Sequence, residues 1–171
     1  MQQPLLELER RFTAPLHRVW QAFTTAKGLA AWMGPEQTQV ECKALNLTPG
    51  GHMHYALHSE GAEPFYGRWD FMAVMPFQLL DYHLAFSDAE GSCVYHPLAP
   101  GWPLQTRVQV VFEADEDDTR LLINACPAMG SSDEEVASFT ASIEHLQANW
   151  QEAFSALDEY FAQEKARTGR G

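Results

Sequence analysis

The sequence has few basic residues. Its 11 Lys and Arg stand against 23 Asp and Glu, which gives a formal net charge of −12. A nucleic-acid-binding surface needs clustered positive charge to displace counterions from phosphate, and the chain has no such cluster. Attraction to an anionic lipid surface is disfavoured for the same reason. The composition therefore predicts no nucleic-acid partner.

Long apolar runs and paired cysteines are also missing. No run approaches the roughly 20 apolar residues of a membrane-spanning helix, and the N-terminal residues lack the pattern of a secretory signal. The cysteines Cys42, Cys93 and Cys126 are far apart, with no CxxC pair, which disfavours zinc sites and disulfides. We therefore expect a cytoplasmic protein with reduced thiols, no membrane insertion and no cofactor.

The length of 171 residues fits one domain, and we assign residues 1–171 to it, with a frayed tail from about residue 166. A first strand is predicted over residues 5–12. A helix follows, with apolar residues at the helical spacing i, i+3, i+4, i+7: Leu16, Val19, Trp20 and Phe23. Thr25 is placed to cap a second short helix, which Gly34 and Pro35 end.

The rest of the chain predicts strands and then one long helix. Alternating patterns and turn residues indicate six further strands, over residues 38–47, 52–58, 65–75, 78–86, 105–114 and 119–126. Ser132 and Glu135 form a capping-box pattern that opens a helix running to about Lys165. A sheet with one apolar face must bury that face, and the long helix is its only large apolar partner. The predicted class is α+β, with a ligand-sized cavity between the curved sheet and the helix.

This order of elements resembles the helix-grip fold of the START-like (SRPBCC) superfamily. Short motifs resemble the branch related to the ATPase activator of the large cytosolic heat-shock chaperone. They include Thr13-Ala14-Pro15 before Val19-Trp20, Leu29-x-x-Trp32-x-Gly34-Pro35, Pro49-Gly50-Gly51, Phe65-x-Gly67, Pro76-x-x-Leu79-Leu80 and Thr119-Arg120-Leu121. The resemblance implies a curved antiparallel sheet of about seven strands, wrapped on a long C-terminal helix, with two short helices after the first strand.

The chain also departs from its apparent relatives. Thr25-Ala26 replaces a common Asp-Pro, and Met33 replaces the second of two tryptophans. The segment 87–103 is longer than usual between the fifth and sixth strands. Such a loop is either a lid over the cavity or a surface loop packed on the domain or on a second copy.

Alternation along the strands and the helix predicts which side chains face the cavity. Apolar residues there would bind a small hydrophobic or amphipathic molecule, with the Tyr hydroxyls giving direction. The predicted ligand-binding residues are Met53, Tyr55, Trp69, Phe71, Tyr82, Leu84, Phe112, Phe139, Ile143 and Trp150.

The opposite, outward face of the sheet carries polar residues. His52, His54 and His58 alternate with apolar neighbours, a pattern that suits a metal, a solvated strand face or a dimer surface. If the strands 65–75 and 78–86 pair through a turn at Pro76, Asp70 lies near His83. That pair is either half of a catalytic triad or a cross-strand ion pair. No complete catalytic constellation or metal site is recognised.

Three functions remain open from the sequence. The first is binding of a small hydrophobic molecule in the cavity. The second is a cavity enzyme, since the resemblance includes polyketide cyclases and aromatases; Tyr55, Tyr82 and His96 would be its acids and bases. The third is a chaperone-interacting or regulatory module that uses an outward surface with His54, Arg68 and Asp70. A homodimer is compatible with all three.

Overall fold

The computed structural model describes residues 3–34 and 37–168. The described strands are β1 (Leu6–Phe12), β2 (Thr38–Leu45), β3 (His52–Ser59), β4 (Phe65–Met75), β5 (Leu79–Ser87), β6 (Cys93–Val94), β7 (Thr106–Asp115) and β8 (Asp118–Pro127). The described helices are α1 (Leu16–Thr24), α2 (Ala26–Trp32), α3 (Asp133–Ala141) and α4 (Ile143–Thr168). None of the helices in these ranges is both long enough and apolar enough to cross a lipid bilayer.

The strands form one curved antiparallel sheet in the order β1-β8-β7-β5-β4-β3-β2. The short strand β6 lies off this path and pairs with the end of β5. The α+β prediction, with two short helices after the first strand and a long C-terminal helix, is confirmed. The added strand β6 lies within the segment 87–103, which is longer than in the apparent relatives.

The two short helices fasten one end of the sheet. The apolar stripe of α1 is buried except at Leu16, which is partly buried, and the rings of Trp20 and Phe23 lie 5.0 and 5.5 Å from that of Phe112 on β7. The hydroxyl of Thr25 accepts the amide N–H of Gly28 at 3.0 Å, so the predicted cap of α2 is present. Gly34 then adopts a φ of 80°, a value that glycine tolerates best. Pro35, the other half of the predicted stop, lies outside the described residues.

The predicted long helix is divided in two at Ser142. The capping box of Ser132 and Glu135 opens α3 as predicted, but α3 ends at Ala141 and α4 begins at Ile143. The Ser142 hydroxyl donates to the carbonyl of Ser138 at 3.0 Å, a side-chain bond that bends helices. At its other end α4 continues to Thr168, three residues beyond the predicted end at Lys165.

The core lies between the sheet and the helices. The second half of α4 buries Phe154, Leu157 and Phe161, and Phe12 of β1 contacts two of these rings edge to face. The first half of α4 is less covered, because Ile143, Leu146 and Trp150 are only partly buried. Ion pairs Arg10–Asp158 and Arg18–Glu164 tie α4 to β1 and α1. The helix is therefore fixed at its C-terminal half and less enclosed at its N-terminal half.

Candidate functional site

The predicted ligand-binding residues lie in or against the core. Seven of them are buried: Met53, Tyr55, Trp69, Phe71, Tyr82, Phe112 and Phe139. The other three, Leu84, Ile143 and Trp150, are partly buried and pack against this cluster. The predicted ligand-binding residues are therefore buried to different depths. The three that are partly buried lie on β5 and on the first half of α4.

Aromatic rings in mutual contact occupy the deep end of the helix-facing side. Trp69 and Tyr82 stack with their ring centroids 4.1 Å apart. Trp32 of α2 lies 6.4 Å from Trp69 on one side and stacks on Trp150 of α4 at 5.9 Å on the other. These contacts join the sheet to two helices, so the deep end serves chiefly as core.

The two tyrosines predicted to orient a ligand are enclosed by this packing. Burial raises the pKa of Tyr55, although a hydrogen bond from the Trp69 indole N–H to its hydroxyl opposes the rise. Burial also raises the pKa of Tyr82, and the nearby Tyr55 adds to the effect. Both hydroxyls are therefore neutral at physiological pH. The Tyr55 ring lies over Gly67, its partner in the β3–β4 register.

An open pocket of about 280 Å³ lies where β4 begins and β5 ends. Its walls are Glu63, Pro64, Phe65, Tyr66, Phe86, Ser87, Val94, Pro97 and Leu98. Most of these side chains are apolar, and none belongs to the ten residues predicted from the sequence. The signal that could have found Phe65 and Phe86 is strand alternation, because Phe65 shares a strand face with Trp69, as Phe86 does with Leu84.

A continuous apolar strip connects the deep aromatic cluster to this pocket. In the β4–β5 register, Trp69 pairs with Leu84, and one step outward Gly67 pairs with Phe86. Exposure rises along the strip, from 3% at Trp69 to 41% at Phe65. The pocket therefore adjoins the solvent end of the face on which the predicted ligand residues lie, and its wall also includes Tyr66 and Ser87 at the edge of the opposite face.

The connection from β5 to β7 (residues 88–105) forms one wall of the pocket and is anchored at both ends. Strand β6 pairs with Phe86 and Ser87. The ring of Trp102 lies 5.7 Å from that of Phe139 on α3, and the Leu104 amide donates to the Glu135 carboxylate at 3.1 Å. Between these anchors Leu98 is 77% exposed. The segment is thus a packed surface loop with an exposed apolar centre.

His96 stands at the centre of this loop, beside the pocket. Its ring centroid is 4.3 Å from that of Phe86 and 6.4 Å from that of Phe65. Its Nδ1 accepts the backbone N–H of Leu98 at 3.0 Å. Two pocket rings and one pocket backbone group thus hold the imidazole in place.

The outward face of the sheet is partly covered. Asp70 and His83 are register partners as predicted, but the Asp70 carboxylate is bonded by Arg68 on its own strand at 2.8 Å. His54 is only 6% exposed, with its Nε2 3.3 Å from the Asp88 carbonyl, so a solvated strand face, one of the alternatives for the histidines, does not hold at this position. Within residues 3–34 and 37–168, no three His, Cys, Asp or Glu side chains lie together as a metal would require.

The architecture defines a class of protein: a helix-grip, START-like domain, with one antiparallel sheet closed by a long C-terminal helix. The family model described as "Activator of Hsp90 ATPase homolog 1-like protein" matches residues 13–162. The chain belongs to this family, within the SRPBCC superfamily.

Solved structures show the same fold. A protein from Arthrobacter aurescens is 22% identical, with a TM-score of 0.73 over 92% of this chain and 85% of that one. A protein from Mycobacterium smegmatis is 20% identical, with a TM-score of 0.70 over 90% of this chain and 88% of that one. The AHSA1 protein from Silicibacter pomeroyi is 18% identical, with a TM-score of 0.67 over 93% of this chain and 98% of that one. At these identities the likeness establishes the fold alone. No curated protein matches the chain.

Proposed function

We propose that this protein binds a small hydrophobic or amphipathic molecule in the cytoplasm, on the helix-facing side of its sheet. The molecule enters at the pocket between β4, β5 and the 88–105 connection. It extends along the apolar strip towards Leu84, Ile143 and Trp150, the partly buried members of the predicted ligand-binding set. The deeper members, such as Trp69 and Tyr82, form the floor.

The observation that carries this proposal is the pocket of about 280 Å³ with its largely apolar walls. Ligand sites are concave and mostly apolar, and they span roughly 300–1,000 Å³ for drug-sized molecules. The pocket lies just below that range, which favours a small molecule. Its walls continue the apolar strip of β4 and β5, so binding there buries further apolar surface, at about 25 cal/mol per Å².

The arrangement favours binding over proton-transfer chemistry. A general acid or base works best when its pKa lies near the operating pH. Tyr55 and Tyr82 are close enough to influence each other, but burial moves both pKa values away from neutrality. They are better suited to closing the floor of a site than to exchanging protons with a substrate.

The outward surface offers less support for a chaperone-binding or regulatory module. Arg68 donates to Asp70 and to the carbonyl of Gly91, and His54 is buried beneath the same turn. These three side chains, which the sequence suggested as an interaction surface, are engaged within the chain. A partner would have to displace the turn to reach His54, and it would have to compete with the existing ion pair to bind Arg68 or Asp70.

Uptake of the neutral fluorescent probe N-phenyl-1-naphthylamine tests the proposal. A neutral probe avoids repulsion by the net charge of −12. We expect saturable binding by the unaltered protein and at least fivefold weaker binding by Val94→Trp, because Val94 lines the pocket and a larger side chain fills it.

The matched control is Met72→Trp. Met72 is 54% exposed at the irregularity of β4 and is not part of the pocket wall. Circular dichroism establishes that both variants are folded. Saturable binding that Val94→Trp and Met72→Trp affect equally, or no binding at all, would overturn the proposal.

A further inference from the structure

The imidazole of His96 lies beside the pocket, against the rings of Phe65 and Phe86, and the structure fixes its hydrogen bonding. The Nδ1 of His96 accepts a hydrogen bond from the Leu98 backbone amide at 3.0 Å. A nitrogen that accepts cannot also carry the proton, so the proton of the neutral ring is on Nε2. The loop itself therefore sets the tautomer and leaves Nε2–H as a donor.

This donor has no acceptor within the described part of the chain. The hydrogen bond of the ring is the one to Leu98, and its other contacts are with the faces and edges of Phe86 and Phe65. Both of those rings line the pocket, as do Pro97 and Leu98, the two residues that follow His96. An N–H held beside an apolar concavity without a partner is the kind of group that orients a ligand.

We propose that the Nε2–H of His96 donates a hydrogen bond to an oxygen of the ligand, so that the pocket selects neutral molecules with a carbonyl or ether oxygen on a small apolar body. This inference rests on the proposed function and adds the chemical class of the ligand. His96 is then a positioning and specificity residue of the site.

The charges around the pocket further restrict the chemical class of the ligand. A protonated amine has no lone pair to accept from Nε2–H. A carboxylate would meet Glu63 in the pocket wall and a chain with a net charge of −12. Tyr55 does not line the pocket, whereas the imidazole of His96 packs against two rings that do. A neutral oxygen acceptor avoids both the missing lone pair of an amine and the repulsion of a carboxylate.

The test compares acetophenone with ethylbenzene, which have nearly the same size and shape but differ by the carbonyl oxygen. Binding is measured by titration of the ¹⁵N-labelled protein, followed at the amides of Phe86, Val94 and Leu98. We expect the unaltered protein to bind acetophenone about three- to tenfold more tightly, the range that one net hydrogen bond supplies.

Two substitutions separate the donor from the loop contact. In His96→Asn the side-chain oxygen takes the place of Nδ1 and keeps the bond from the Leu98 amide, but the Nε2 donor is gone. In His96→Gln the side-chain NH₂ lies near the former Nε2. We expect His96→Asn to bind both probes with a ratio near one, and His96→Gln to retain part of the preference.

The outcomes distinguish this inference from the function on which it rests. Equal binding of the two probes by the unaltered protein, or an undiminished preference in His96→Asn, overturns the role of His96 and leaves pocket binding intact. Failure of both probes to shift the pocket amides, together with failure of N-phenyl-1-naphthylamine to bind, overturns the proposed function itself. A preference lost in His96→Asn and kept in His96→Gln supports both.

Discussion

At the scale of single residues, Gly67 shows how closely the helix-facing side is packed. A Cβ at this position would lie 2.2 Å from the Cζ and hydroxyl oxygen of Tyr55. The glycine of the Phe65-x-Gly67 motif therefore exists to admit the Tyr55 ring. It also brings that ring against the strip that leads from Trp69 to the pocket.

We predict that Gly67→Ala lowers the free energy of unfolding by about 1–3 kcal/mol, as overpacking in a core does. Urea denaturation measures the change. In a Tyr55→Leu background the same substitution should be nearly neutral, because the ring that it strikes is gone. An equal loss in both backgrounds would show that the ring contact is not the cause.

The two buried tyrosines predict alkaline destabilisation. Burial raises the pKa of Tyr55 and of Tyr82 above the ordinary value of 10.0. A group whose pKa is higher in the folded state stabilises that state below its unfolded pKa, and this contribution is lost as the pH rises. Stability should therefore fall as the pH increases above about 10.

Unfolding by urea at pH 8 to 11 measures this loss, and Tyr82→Phe should show a shallower fall than the unaltered protein. Tyr95→Phe is the control, because Tyr95 is 61% exposed. Identical pH profiles for all three proteins would contradict burial of the Tyr82 hydroxyl.

At the scale of elements, Glu135 couples the 88–105 connection to α3. Its carboxylate accepts the Ser132 amide at 3.1 Å within the capping box, and the Leu104 amide at 3.1 Å from the loop. One side chain therefore holds the start of a helix and the end of the pocket wall. Leu104 lies two residues from Trp102, which packs on the same helix through Phe139.

We predict that Glu135→Ala speeds hydrogen exchange at the Leu104 amide and in the first turn of α3. Amide exchange followed by NMR resolves both places. Asp133→Ala is the matched control, because it removes another acidic side chain of the first turn and leaves both bonds to Glu135 in place. Unchanged protection at Leu104 in Glu135→Ala would contradict the coupling.

The carboxylate of Glu135 also predicts that the fold loses stability at low pH. Hydrogen bonds from the Ser132 amide and hydroxyl, and then from the Leu104 amide, hold the pKa of Glu135 below its ordinary value of 4.5. A depressed pKa stabilises the fold above the unfolded value, and this contribution is lost as the pH falls through the folded value. The stability difference between the unaltered protein and Glu135→Gln should therefore shrink below about pH 4.5. The urea midpoints of both proteins at pH 7 and pH 3 measure this difference. The same difference at both pH values would contradict a stabilising role of the ionised Glu135 carboxylate.

At the scale of the whole molecule, local patterns predicted the sheet and its faces well. Strand alternation placed Trp69 and Tyr82 towards the helices, and the turn at Pro76 gave the correct Asp70–His83 register. The division of the long helix at Ser142 was not predicted, because it depends on a serine hydroxyl that competes for a backbone carbonyl. The apolar spacing continues across that residue without a break.

The position of the pocket also escaped sequence reasoning, for a reason that belongs to the whole fold. Phe65 and Phe86 have the same alternation as the buried residues beside them. They lie at an open end because the 88–105 connection, and not a helix, forms the facing wall there. Burial of His54 has a similar origin, since the turn at Asp88–Gly91 covers a strand face that the pattern alone leaves open.

We propose above all that the pocket at the ends of β4 and β5 takes up a small apolar ligand. The most direct test maps N-phenyl-1-naphthylamine onto the ¹⁵N-labelled protein by chemical-shift changes. We expect the changes to weaken along the strip towards Leu84 and Trp150 and to spare Met72. The largest changes should fall on the pocket residues Phe65, Phe86, Val94 and Leu98. Changes confined to the outward face, or none at saturating probe, would contradict it.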